Sequence, residues 1–155
     1  MSRKVDVFRK TKETQIEIQL DLDGTGNADI STGIPFFDHM LTAFTVHGFF
    51  DLKILARGDL EVDLHHTIED IGLVLGQAFY EALGEKGGIQ RFGDSCVPMD
   101  EALSRVTVDL SNRPYLVYHF PDNLKSTGVF DAYLAREFFQ AFSVKGGFNL
   151  HINAY

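Results

Sequence analysis

The sequence predicts an α+β domain made of two similar halves, each a sheet backed by helices. Three observations predict it. The first is an internal repeat: shifted by 98 positions, HMLTAFTVHGFFDLKI (39–54) lies over EFFQAFSVKGGFNLHI (137–152). Seven of sixteen positions are identical without a gap: Ala43/Ala141, Phe44/Phe142, Val46/Val144, Gly48/Gly146, Phe50/Phe148, Leu52/Leu150 and Ile54/Ile152. Any two helix–Gly–strand units share some pattern, but gapless identity that includes the glycine points to duplication. The second is period-two alternation, with Ile16, Ile18, Leu20 and Leu22 apolar between Gln15, Glu17, Gln19 and Asp21. The third is an apolar segment, Ile71 to Leu83, stopped by Gly84 and preceded by polar residues suited to a helix start.

Taken in order, residues 4–22 read as a half-buried strand and 23–27 as a turn. Ala28 to Ser31 is expected to pair back, and Thr32-Gly33 opens a loop. Pro35 fits the first turn of a helix running to about Val46, with Gly48 as its stop. Asp51 to Ala56 reads as a strand, Gly58-Asp59 as a turn and Leu60 to Val62 as a short strand. A helix from about His65 to Leu83 follows, with Asp63 as its expected cap. Residues 84–93 read as a loop broken by Gly87-Gly88. Val106 to Leu110 is a strand, Asn112-Arg113-Pro114 turns into Tyr115 to Phe120, and Pro121 to Gly128 is a loop. Leu134 to Val144 is a helix closed by Gly146-Gly147, and Phe148 to Ala154 is a last strand. The chain, residues 1–155, is read as one domain of two repeats, about 4–90 and 91–155. The second is expected to be incomplete. The counterpart of the Asp63–Leu83 helix would fall beyond Tyr155, which would expose a sheet face.

Composition narrows the function. At 155 residues the chain can bury a sizeable core. Hydrophobic content of 45% and charged content of 23% are ordinary for a globular protein. A net charge of −8 and a pI near 5.1 argue against a nucleic-acid partner, which needs a basic face. Cys96 is the lone cysteine, so no internal disulfide is expected. There is no secretory signal and no apolar run near the roughly 18–20 residues of a membrane span. No membrane role and a cytoplasmic location are expected.

The chemistry concentrates in Asp63-Leu64-His65-His66-Thr67-Ile68-Glu69-Asp70. On a helix Glu69 neighbours His65, four back, and His66, three back. Adjacent histidines point roughly 100° apart, so two metals could take one each where one would struggle to take both. Imidazole with carboxylate suits divalent Mn, Fe, Co, Ni or Zn. The same residues also read as a solvated helix start favoured by the dipole. His39 can be a ligand. His47, eight residues on and about 12 Å along the axis, suits a substrate anion better. Each alone also reads as a structural histidine. Glu137 is the repeat-mate of His39 and could fill the equivalent position, or be a solvated acid. Arg91 and Arg113 sit in turns, and arginine forks match phosphate. Glu13 precedes the first strand.

Together these segments resemble the imidazoleglycerol-phosphate dehydratase family of histidine biosynthesis. The matching stretches are Arg9-x-Thr11-x-Glu13-Thr14, Thr32-Gly33-Ile34-x-Phe36-Phe37-Asp38-His39-Met40-Leu41, His47, Gly58-Asp59 and Asp63-x-His65-His66-Thr67-x-Glu69-Asp70-Ile71-Gly72. They continue through Gly88-Ile89-x-Arg91, Pro98-Met99-Asp100-Glu101-Ala102 and Val108-Asp109-Leu110-Ser111-x-Arg113-Pro114. The resemblance implies a duplicated fold of the ribosomal protein S5 domain 2 type. It implies a lyase that removes water from D-erythro-imidazoleglycerol phosphate to give imidazole-acetol phosphate. It implies two manganese ions per site at subunit interfaces. It also implies a homo-oligomer, trimers that assemble into a twenty-four-subunit particle when metal-loaded. Residue by residue, His39, His65, His66, Glu69 and Glu137 match metal positions, the last often His in the family. Glu13, His39, His47, His65, Glu69, Arg91 and Arg113 match substrate positions, with Glu13 and Glu69 as candidates for proton transfer. The family's second HHxxE and its C-terminal Ser and Lys have no counterpart here. The chain is therefore expected to be a truncated form with incomplete metal sites and impaired or absent activity. A metal-dependent hydrolase and an inactive, metal-poor trimeric assembly unit are the rival readings.

Overall fold

The structure is a computed structural model that describes residues 3–121 and 130–155. Its elements are β1 (Lys4–Lys10), β2 (Thr14–Asp21), β3 (Ala28–Ser31), α1 (Pro35–Gly48), β4 (Asp51–Gly58), α2 (His65–Leu83), β5 (Phe92–Met99), β6 (Ala102–Asp109), β7 (Tyr115–His119), α3 (Ala132–Gly146) and β8 (Asn149–Ala154). They form two four-stranded sheets, ordered β1-β2-β4-β3 and β5-β6-β8-β7. In each sheet three strands are antiparallel and the outer one, β3 or β7, runs parallel to its neighbour.

The duplication is therefore structural as well as sequential. Phe44 and Phe50 pack with ring centroids 5.0 Å apart, and their repeat-mates Phe142 and Phe148 do the same at 5.0 Å. A Cβ on Gly48 would overlap Phe50, and one on Gly146 would overlap Phe148. Each helix end thus has no room for a side chain over the aromatic ring that opens the next strand. The halves differ at the next residue. Both helices end in a left-handed conformation, which Gly147 (φ 68) adopts freely and Phe49 (φ 58) adopts at a steric cost.

Helix α2 carries two glycines, Gly72 and Gly76, that lower its intrinsic propensity. Packing explains them. A Cβ on Gly72 would sit 2.6 Å from the Phe138 carbonyl oxygen. One on Gly76 would sit 2.6 Å from the Phe142 oxygen and 2.9 Å from the Gly146 nitrogen. Helices α2 and α3 meet backbone to backbone there. The adjoining face of α2 buries Ile68, Ile71, Val74 and Leu75 in one core with Ile16, Ile18, Leu20, Leu52 and Ile54 of the first sheet. Phe79 joins Phe44, Phe50, Phe142 and Phe148 into one aromatic cluster spanning both halves.

Several expectations are corrected. Residues 4–22 are not one strand: the chain turns at 11–13, where Thr11 Oγ1 accepts the Glu13 and Thr14 amides, and makes a hairpin. Ala28–Ser31 pairs in parallel with β4 instead of folding back on β2. Leu60 to Val62 is a turn closed by the Val62 amide on the Asp59 carbonyl at 2.8 Å. The loop read over 84–93 gives way to β5 at Phe92, and β6 begins at Ala102, four residues early. Strand β5 has no apolar alternation, and Ser95, Val97 and Met99, on the face that corresponds to the buried one in the first sheet, are exposed. Residues 122–129, most of the expected Pro121–Gly128 loop, lie outside the described residues. Among the described residues no helix is long and apolar enough to cross a membrane.

The glycine contact gives a direct test. Gly76→Val should lower unfolding free energy by about 1–3 kcal/mol by overpacking the α2–α3 seam. An unchanged urea midpoint would show that the two backbones do not touch.

Candidate active site

The first turn of α2 carries the candidate donors, and β4 and α3 bring their neighbours. The helix starts without a side-chain cap at Leu64; Asp63 instead accepts the His65 amide at 2.8 Å. The cap expected at Asp63 thus acts from one residue before the N-cap position.

His65 faces α3. Its Nε2 lies 3.4 Å from Glu69 Oε2 and 3.9 Å from Glu137 Oε2. The 3.4 Å approach is off line for a hydrogen bond, and Nε2 is buried without a hydrogen-bond partner among the described residues. The Tyr133 ring stands edge-on to His65, centroids 6.1 Å apart. The Glu137 carboxylate pushes the Tyr133 hydroxyl above its ordinary range, with burial and a Glu137 hydrogen bond adding to it. A buried, unbonded imidazole nitrogen between two carboxylates is a chemical fit to a divalent cation.

His66 does not pair with Glu69 as expected. Its Nδ1 lies 3.2 Å from Asp59 Oδ2, across the β4–α2 turn. That hydrogen bond raises the His66 pKa; burial opposes it, and the charges of Asp59, Glu13 and Asp63 add to it. The two adjacent histidines thus serve different neighbourhoods. Glu13 is exposed at the β1–β2 turn. Beside it an open cavity of about 280 Å³ is lined by Lys10, Lys12, Glu13, Arg57 and Asp59. The turn is tied to α2: buried Asp70 accepts the Thr14 hydroxyl and the Arg9 Nε at 3.1 Å.

The other candidates stand elsewhere. His39 and His47 lie exposed on α1. Arg91 makes a two-pronged bond to Asp109, 2.6 and 2.9 Å, and Arg113 reaches the same carboxylate at 3.8 Å. No ion pair joins this group to the histidines among the described residues. Nor do any three His, Cys, Asp or Glu side chains among the described residues converge tightly enough to hold a metal. One chain therefore brings together His65, Glu69 and Glu137, and separately Asp59 and His66, but leaves His39 apart from both.

Comparison with known proteins decides the family. The imidazoleglycerol-phosphate dehydratase family model matches residues 32–155. The chain belongs to the imidazoleglycerol-phosphate dehydratase family. The Geobacter metallireducens imidazoleglycerol-phosphate dehydratase is 56% identical over 153 residues, covering 99% of this chain and 78% of that protein. The Desulfotalea psychrophila one is 55% identical over 152 residues, 98% of this chain and 76% of that protein. The Staphylococcus aureus dehydratase structure superposes with a TM-score of 0.85 at 38% identity, covering 97% of this chain and 83% of that one. The Pyrococcus furiosus enzyme, solved in complex with (S)-C348, gives 0.82 at 37% identity, covering 96% and 78%. The duplicated α+β fold expected from the repeat is the fold of this family.

Sequence reasoning assigned no role to Asp59, Asp70, Asp109 or Tyr133. The first three sit inside family-like stretches, but their partners are 7, 56 and 18 residues away in the chain. Asp109 yields a pH test. The Arg91 hydrogen bond holds its carboxyl below the ordinary range, with the Arg91 and Arg113 charges assisting against burial. A lowered carboxylate contributes stability above its unfolded value and loses it as pH falls through the folded one. Asp109→Asn should therefore melt below the parent at pH 7, and the gap should persist to about pH 4 and narrow only as pH falls further, through the folded value. Thermal melts at pH 7, at pH 4 and in a series below it check this.

Proposed function

We propose that the chain removes water from imidazoleglycerol phosphate to give imidazole-acetol phosphate, as a lyase of histidine biosynthesis acting in the cytoplasm. The observation that carries the reading is the family match along nearly the whole chain, with His65-His66-x-x-Glu69 at the start of α2. The match names the reaction, and the donor chemistry around His65 suits it.

His65, His66, Glu69, His39 and Glu137 are the residues we assign to hold manganese, two ions per complete site. Bound there, the metal would supply Lewis acidity that stabilises negative charge developing on the substrate's imidazole. The hydrogen to be removed sits on a carbon with no carbonyl beside it, so it is barely acidic. Glu13, or Glu69, takes that proton, and with a proton returned from the protonated carboxyl the hydroxyl leaves as water. Arg91 and Arg113 hold the phosphate, each offering a planar fork. Asp109, at the end of β6, gathers both guanidinium groups at 2.6 and 3.8 Å. His47 contributes to substrate contact.

Because the proposed donors sit in separate groups on α1 and on the α2–α3 seam, we assign the complete shell to an interface between copies of this chain. Trimers, and a twenty-four-subunit particle when metal is bound, are the assemblies this reading expects.

The test is product formation from imidazoleglycerol phosphate with added Mn²⁺, followed by NMR. Appearance of imidazole-acetol phosphate supports the reading; release of inorganic phosphate without it would replace it with a hydrolase. Within an active enzyme, Glu13→Gln should cost about 10²-fold or more in kcat if Glu13 moves the proton. Near-normal turnover would take Glu13 out of that role. Chelation of the metal should abolish turnover and reduce particle size on size exclusion, both restored by Mn²⁺.

A further inference from the structure

The Gly58-Asp59 turn is a family-like stretch that the proposed function leaves without a role. We propose that Asp59 is a positioning residue that fixes the tautomer of His66, so that Nδ1 carries the proton and Nε2 stays free to bind a cation. The proposal rests on the reading of His66 as a metal-binding residue.

Both carboxylate oxygens of Asp59 approach the same nitrogen, His66 Nδ1, at 3.2 and 3.4 Å. An ionised carboxylate only accepts, so the nitrogen facing it must be the donor. A neutral imidazole has one N–H, which leaves the lone pair on Nε2. Free imidazole side chains favour the other tautomer modestly, so the bond selects a form that the isolated residue populates less. Carboxylate-held histidines of this kind are the usual outer partners of metal sites, where they set ring orientation and ligand basicity.

The pair is held in place by backbone packing as well as by its own bond. A Cβ on Gly58 would overlap the Thr67 hydroxyl, so the end of β4 lies directly against the first turn of α2. The Asp59 carbonyl accepts the Val62 amide at 2.8 Å and the Asp63 amide at 3.3 Å, which closes the turn that delivers His66. Asp59 and His66 are both partly buried, with 21% and 37% of their side chains exposed. The other acids acting on His66, Glu13 and Asp63, act through charge and make no hydrogen bond to its ring among the described residues. His65, one residue away, has no such partner, and its Nε2 is the unbonded atom. The two imidazoles are thus set up differently: one is oriented by an outer carboxylate, the other lies 3.4 and 3.9 Å from two carboxylates.

The experiment reads the tautomer first and the metal second. Long-range ¹H–¹⁵N spectra of the metal-free protein at alkaline pH, with His66 assigned through His66→Gln, should show the Nδ1–H form. Asp59→Ala should return it to the Nε2–H form. An Nε2–H form in the parent, or no change in Asp59→Ala, overturns the proposal. Mn²⁺ titration should then show binding weakened about 10–100-fold in Asp59→Ala. Asp59→Asn, which keeps an acceptor and the shape but not the charge, should bind between the two and serves if the alanine variant does not fold. Equal Mn²⁺ affinity in the parent and the asparagine and alanine variants overturns the positioning role. A parent that shows the Nδ1–H form but binds no Mn²⁺ overturns the metal reading and, with it, the role of the freed Nε2.

Discussion

The close approach of α2 and α3 at Gly72 and Gly76 is the constraint on which the rest of the molecule depends. Two helices packed through glycine can bring their backbones nearer than side chains of any other residue allow. That seam joins the halves, since α2 belongs to the first sheet and α3 to the second. It also sets the chemistry. One end of the seam places Glu137 and Tyr133 of α3 beside His65 and Glu69 of α2. The other end fills with the aromatic cluster around Phe79. A wider seam would separate the imidazole from the second carboxylate before it loosened the core.

The duplication supplies the frame and the differences supply the site. Both halves repeat the helix, the glycine, the aromatic pair and the parallel outer strand. They diverge in the side chains outside that shared frame. His39 and Glu137 occupy equivalent positions, yet the first is exposed on α1 and the second closes on His65. One helix, α2, has no counterpart over the second sheet among the described residues, and the Val97 and Met99 side chains there are exposed.

Much of this is legible in the residue order. The period of Ile16, Ile18 and Leu20 gives β2 its buried face, and the repeat alone places α3 and β8. The i, i+4 spacing of His65 and Glu69 is met in space. Strand β5 is not legible, because Gly93, Asp94, Ser95 and Pro98 interrupt any period-two apolar pattern in it. The break between β1 and β2 is hidden for the opposite reason. Apolar alternation continues on both sides of it, and only the Thr11 hydroxyl marks the turn.

What the sequence determined by itself was therefore everything set by local spacing: the duplicated α+β class, most helices and strands, and which residue types stand at the start of α2. What only the tertiary structure decided was which of those residues meet. His66 turns to Asp59 and not to Glu69, Asp70 ties the Glu13 turn to α2, and Arg91 and Arg113 gather on Asp109. These pairings cross from one element to another. Their geometry is fixed by strand register and by the tight contacts at Gly58, Gly72 and Gly76, and side-chain periodicity along one element carries no record of its distance to the next.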